Sequence, residues 1–166
     1  MTVTDGGDAA GSDLYQVRLQ RLPVSLWSHS QEQHDALMRE FALMSVPTEE
    51  SELKHHVPTR LRQLIDTLTS DFEGVSTAQE QQLYDAAVAG EEVIDELVYT
   101  IPRAAVPASR ALADMLAEAD EYCRQGKHLL TLAADDELVR FRNWFLDQFI
   151  DQAAGAPPVP WPDYRR

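Results

Sequence analysis

The stretch VIDELVYTIP, residues 93–102, changes the period of a chain otherwise patterned for helices. Leu97, Tyr99 and Ile101 alternate with Val98 and Thr100, the period-two signal of a half-buried strand. Pro102 ends the run, because proline has no N–H to give to a ladder. The same signature stands near the start, where Tyr15, Val17 and Leu19 alternate with Gln16, Arg18 and Gln20 and Pro23 stops the strand. Each strand leads into a helical pattern. From about Ser25 to Met44, Leu26, Trp27, Leu37, Met38, Phe41 and Met44 recur at helical spacing, and Pro47 closes the segment. From Val106, Ala108, Leu112, Met115, Leu116, Ala119 and Cys123 share one face, with Asp114, Glu118 and Glu121 opposite, as far as Gly126. Strand, proline and helix thus occur twice, and the halves read as distant copies.

The intervening segments follow from the same rules. Residues 48–57 are acidic and then His-rich, without a period, and read as an exposed loop. After Pro58, Thr59 can cap a helix carrying Leu61, Leu64, Ile65, Leu68 and Phe72 up to Gly74. Thr77 and Glu80 form a capping box for a helix that runs to Gly90. Leu129 to Leu132 is a short apolar run, consistent with a third strand buried on both faces. A crossover through the long helix would make it a parallel neighbour of Val93–Ile101. Asp135 and Asp136 stand where a helix start favours negative charge, and the last helix runs to about Gln152. The pattern predicts an α+β fold: one helix-rich domain over residues 14–156, with about three strands and about five helices. Residues 1–13 read as a disordered tail, and residues 157–166 as a Pro-rich extended one.

Composition narrows the function. Fourteen Lys and Arg against 28 Asp and Glu leave the 166 residues with a net charge of −14, which repels nucleic acid and anionic lipid. No apolar run approaches the ~20 residues that cross a bilayer, and residues 1–13 lack the basic and apolar parts of a secretory signal. Cys123 is the only cysteine, which suits a reducing cytoplasm, and its place on an apolar stripe reads as a buried inert thiol. The seven glycines go to the N-terminal stretch and to helix ends, so neither a G-x-G-x-x-G turn nor a Walker loop can be written. No cofactor is implied.

Two polar residues fall where the helical period predicts core. His34 lies on the line of Trp27, Ser30, Leu37 and Phe41, and Arg142 lies among Leu138, Phe145, Leu146 and Phe149. Both are expected to be at least partly buried. An unpaired buried guanidinium would cost several kcal/mol, so Arg142 needs a carboxylate or carbonyl oxygens. That pairing is either an internal tie or the floor of an anion or partner site shared with His34. His29 and His34 are five apart and point away from each other, and Glu52 and His55 form an E-x-x-H pattern without a second copy, so no metal site is assigned. Trp144 lies at the edge of the last apolar stripe, with part of its ring expected at the surface. Trp161, held between prolines, either folds back on its own domain or docks on another chain. In the docking case, removing residues 157–166 would weaken a complex and leave the fold intact.

The segments LPVSLWSHSQEQHDALMREFALM (22–44), ADEYCRQGKHLLTLA (119–133) and VRFRNWFLDQFIDQAAGAPPVPWP (139–162) carry a resemblance. From Leu14 to Pro162 the chain resembles a family of small actinobacterial proteins found in company with anti-sigma-factor kinases and STAS-domain antagonists. The resemblance implies regulation by partner switching, with anti-sigma or STAS-type regulators as partners, and brings no catalytic residues. The kinases themselves need a magnesium-binding asparagine on a helix and glycine-rich ATP motifs. Here the only asparagine is Asn143 and the glycine motifs are missing, so the chain reads as a companion or regulator of such a kinase. The leading expectation is a non-enzymatic cytoplasmic regulator that binds another protein through Arg142, Trp144 and Trp161. The rival is a small-ligand sensor or enzyme with a pocket around Arg142 and His34.

Overall fold

The computed structural model describes residues 14–44, 59–60, 63, 77–126 and 129–165. Its elements follow in the order β1 (Leu14–Pro23), α1 (Val24–Met44), α2 (Thr77–Ala89), β2 (Val93–Pro102), α3 (Val106–Gln125) and α4 (Asp136–Ala153). A 3-10 turn at Arg103–Ala105 joins β2 to α3, and another covers Trp161–Asp163. The α+β class stands. Most of the helix expected between Pro58 and Gly74 lies outside the described residues, although Thr59, Arg60 and Gln63 are helical.

β1 and β2 pair antiparallel from Leu14↔Pro102 to Pro23↔Val93. Tyr15, Val17, Leu19 and Leu22 on β1 and Ile94, Leu97, Tyr99 and Ile101 on β2 turn one buried face toward the helices. That face packs on Leu138, Phe141, Trp144 and Phe149 of α4, with Leu83 of α2 and Trp27 of α1 closing the same core. The Tyr15 hydroxyl donates to the Phe149 carbonyl at 2.9 Å. The Gln152 amide side chain accepts from Arg18 N and donates to Arg18 O, each at 2.9 Å, and so covers the β1 edge as a further strand would.

The alternation slips once, in both strands together. Leu19 and Leu22 are buried with two residues between them, as are Ile94 and Leu97. Arg21, at the position the pairing skips between Gln20↔Glu96 and Leu22↔Ile94, has φ +57°, and this left-handed residue turns Leu22 back onto the core face. Replacing exposed Arg21 with valine raises β-propensity, yet the left-handed backbone forbids the gain. Arg21→Val is expected to cost about 1–2 kcal/mol in urea unfolding and Arg21→Gly to cost nothing or stabilise. A stabilised valine variant would remove this account of the slip.

The third strand is a correction. Among the described residues the sheet has two strands, and Leu129–Leu132 is irregular. Side chains of α1 take the backbone groups that a sheet neighbour would have bonded. The Glu40 carboxylate accepts from Leu130 N, and from Thr131 N and Oγ1 at 2.8 and 2.6 Å, while Gln33 donates to the Leu132 carbonyl at 2.8 Å. Leu129 alone of the leucines is buried; Leu130 and Leu132 are each 85% exposed. Leu129 joins Leu37 and Phe41 of α1 and Met115, Ala119 and Cys123 of α3 in a second core.

Helix ends behave as their chemistry requires. Gly126 ends α3 at φ +60°, its N–H bonded to the Tyr122 and Cys123 carbonyls, a conformation that costs glycine nothing. Asp135 caps α4 by accepting from Leu138 N at 2.8 Å.

Candidate functional site: the cleft between α1, α3 and α4

Three helices meet without closing. α1 contributes Trp27, the pair Ser30 and Gln31, the pair Gln33 and His34, and Leu37, which recur at about one-turn intervals along one side. α3 contributes Leu112 and Leu116, and α4 contributes Phe141, Arg142, Phe145 and Leu146. Together they line a half-open cleft of about 180 Å³. Its body is apolar, and its polar residues other than Arg142 all come from α1.

Arg142 is the one charged side chain that α4 gives to this wall. Nη2 donates to Asp120 Oδ2, with side-chain exposures of 10% for the arginine and 2% for the aspartate. The second carboxylate oxygen of Asp120 accepts from Ala134 N at 3.3 Å. The pair therefore neutralises itself inside the protein and ties α3 to α4 and to the segment before α4. Arg142 Nε is shut off from water and has no hydrogen-bond partner among the described residues. A buried N–H left unbonded costs about 1–3 kcal/mol, and the fold carries this one on a residue that lines the cleft.

The need of Arg142 for a carboxylate is legible in the sequence, but the identity of that carboxylate is not. Asp120 does not stand out because it is one of four acids in residues 114–121. Its position four residues after Leu116 and three before Cys123 was the available signal, since it sets Asp120 on the apolar stripe.

His34 corrects an expectation. It is exposed, because the space beyond the middle of α1 is the cleft mouth and not packed core. Ser30 and His34 stand one turn apart and both line the cleft, and no hydrogen bond joins them among the described residues. Cys123 lies behind the Arg142–Asp120 pair. Its thiol is pushed up to about 11, mainly by burial and then by the Asp120 and Glu40 carboxylates, which favours the protonated form at neutral pH.

Trp144 is a second correction: it is fully buried. Two positions from Arg142 on a helix is about 200° of rotation, so it faces away from the cleft. Its Nε1 donates to the Val159 carbonyl at 2.7 Å. Trp161 is half-buried on the same side, edge-on to Phe141 and to Trp144 at 5.7 Å each, with the Arg140 guanidinium 4.4 Å over its ring. Val159 N donates to Gln148 Oε1 at 2.9 Å, and the Tyr164 hydroxyl donates to Asp147 at 2.6 Å. The Pro-rich segment thus folds back on α4. The structure brings Arg142 and His34 to one cleft and sets the two tryptophans in packing on the far side of the helix.

Among the described residues, no cluster of three or more His, Cys, Asp or Glu side chains could hold a metal ion, and no helix is long and apolar enough to cross a membrane. Glu52 and His55 lie outside the described residues. No protein-family model matches the chain, and no curated protein or solved structure matches it.

Proposed function

We propose that this chain is a non-enzymatic regulatory protein that holds a small ligand in the cleft between α1, α3 and α4. The observation that carries the reading is a buried ion pair placed in the wall of an open apolar cleft, with one donor of the arginine left unbonded. Ligand sites combine an apolar lining with a few fixed polar groups, and Arg142, held by Asp120, is such a group. Binding without catalysis suits the residues that line the cleft. The cleft offers no joined nucleophile and base, and the nearby thiol stays protonated. The test is a thermal-shift screen of small aromatic and aliphatic compounds against the wild type and Leu116→Trp, whose larger side chain takes up space in the cleft while Arg142 and Asp120 are both retained. Compounds that stabilise the wild type and not the variant support the reading. Equal responses in both proteins, or none in either, contradict it.

Regulation through a protein partner in the cytoplasm, in the anti-sigma-factor setting that the resemblance implies, is the second reading. What favours it is the segment pinned to α1 by Glu40 and Gln33, which holds Leu130 and Leu132 out to solvent. The net charge of −14 suits a basic partner face. A purified anti-sigma kinase or STAS-domain protein that binds the wild type and loses Leu130→Ser/Leu132→Ser would support it. Undiminished binding by the double variant would remove this surface from consideration.

A further inference from the structure

We infer that the ligand of the cleft is an uncharged molecule about the size of a substituted benzene ring, carrying one hydrogen-bond acceptor for Arg142 Nε. The inference rests on the ligand-binding reading above and adds size, charge and polarity to it.

Size comes from the volume. An apolar cavity of about 150 Å³ takes up benzene, whereas cofactors and drug-sized molecules occupy pockets of about 300–1,000 Å³. At about 180 Å³ the cleft encloses one ring and a short substituent, less than the volume of a nucleotide pocket. Leu37, Leu116, Phe145 and Leu146 give that ring an apolar bed.

Charge comes from the ion pair. Arg142 already has Asp120 as counter-charge, at side-chain exposures of 10% and 2%. A ligand carboxylate would set a second negative charge beside one guanidinium in a poorly solvated wall, inside a chain of net charge −14. A ligand ammonium would meet an aspartate already engaged by Arg142 Nη2 and Ala134 N. Neutral ligands avoid both costs.

Polarity comes from the unbonded donor. Water does not reach Arg142 Nε, so the wall must part slightly to admit an oxygen. An acceptor carried in on an apolar ring does this while the ring fills the cleft, and the bond it makes has no competing solvent. The remaining polar residues of the lining, Ser30, Gln31, Gln33 and His34, all come from α1, and none of them is buried.

The experiment is an NMR titration of the whole chain with acetophenone, ethylbenzene and benzoate, following the leucine methyls and the Arg142 Nε–H. Acetophenone is expected to shift the Leu37, Leu112, Leu116 and Leu146 methyls and the Nε–H together, and to bind about fivefold or more tightly than either other probe. Leu116→Trp, which retains both Arg142 and Asp120, is expected to lose the shifts of the Leu37, Leu112 and Leu146 methyls and of the Nε–H. Ethylbenzene binding as well as acetophenone would overturn the acceptor, and benzoate binding best would overturn neutrality; either result leaves the cleft a ligand site. No methyl shift with any probe would overturn the ligand-binding reading itself.

Discussion

Removal of residues 157–166 is expected to abolish cooperative unfolding at room temperature or to leave a transition at a much lower urea concentration. The segment looks like a detachable appendage, yet Val159, Trp161 and Tyr164 belong to the same core as the sheet and α4. Tyr164 is 4% exposed, and Trp161 covers Phe141 and Trp144. Truncating one large aromatic in a core costs about 3–5 kcal/mol. The deletion also removes the Val159 carbonyl that accepts from Trp144 Nε1 and one of the two donors to Gln148 Oε1. These losses compare with a total stability of about 5–15 kcal/mol for a domain. Circular dichroism across a urea series checks the outcome. An unchanged midpoint would mean that the segment is free for an outside partner, the alternative that the sequence left open.

The second large effect belongs to Asp120. Asp120→Ala leaves the Arg142 guanidinium buried with no counter-charge and frees Ala134 N, and breaking a buried pair from one side costs about 3–5 kcal/mol. The double variant Asp120→Leu/Arg142→Met is expected to recover much of that loss, because two apolar side chains replace a desolvated pair without leaving a charge behind. A double-mutant cycle in urea measures the coupling. Single and double variants that add without interaction would show that the two residues do not depend on each other.

The sequence disclosed the elements whose signals are local. β1 and β2 were legible because period two, a closing proline and a following helical stripe all fall within twenty or so residues of each other, and all agree. The Leu129–Leu132 run misled because four apolar residues carry no period, and what decides their conformation is the Glu40 carboxylate some 90 residues earlier. Sequence spacing holds no trace of that contact. Arg142 announced itself as a charge on an apolar stripe, since such a position forces a partner. The position of Trp144 at the edge of the stripe describes one side of α4 only. The other side is covered by the Pro-rich segment, whose fold-back depends on Gln148 and Trp144 reaching Val159. His34 failed in the opposite sense: its spacing was that of a core residue, but three helices that do not quite close left open space in front of it.

The most direct measurement is a crystal structure of the whole chain grown with acetophenone. The account predicts a ring lying between Leu37, Leu116 and Phe145, with its oxygen on Arg142 Nε and the Arg142–Asp120 pair intact. A cleft closed by its own side chains, or an empty cleft with acetophenone bound elsewhere, would contradict it.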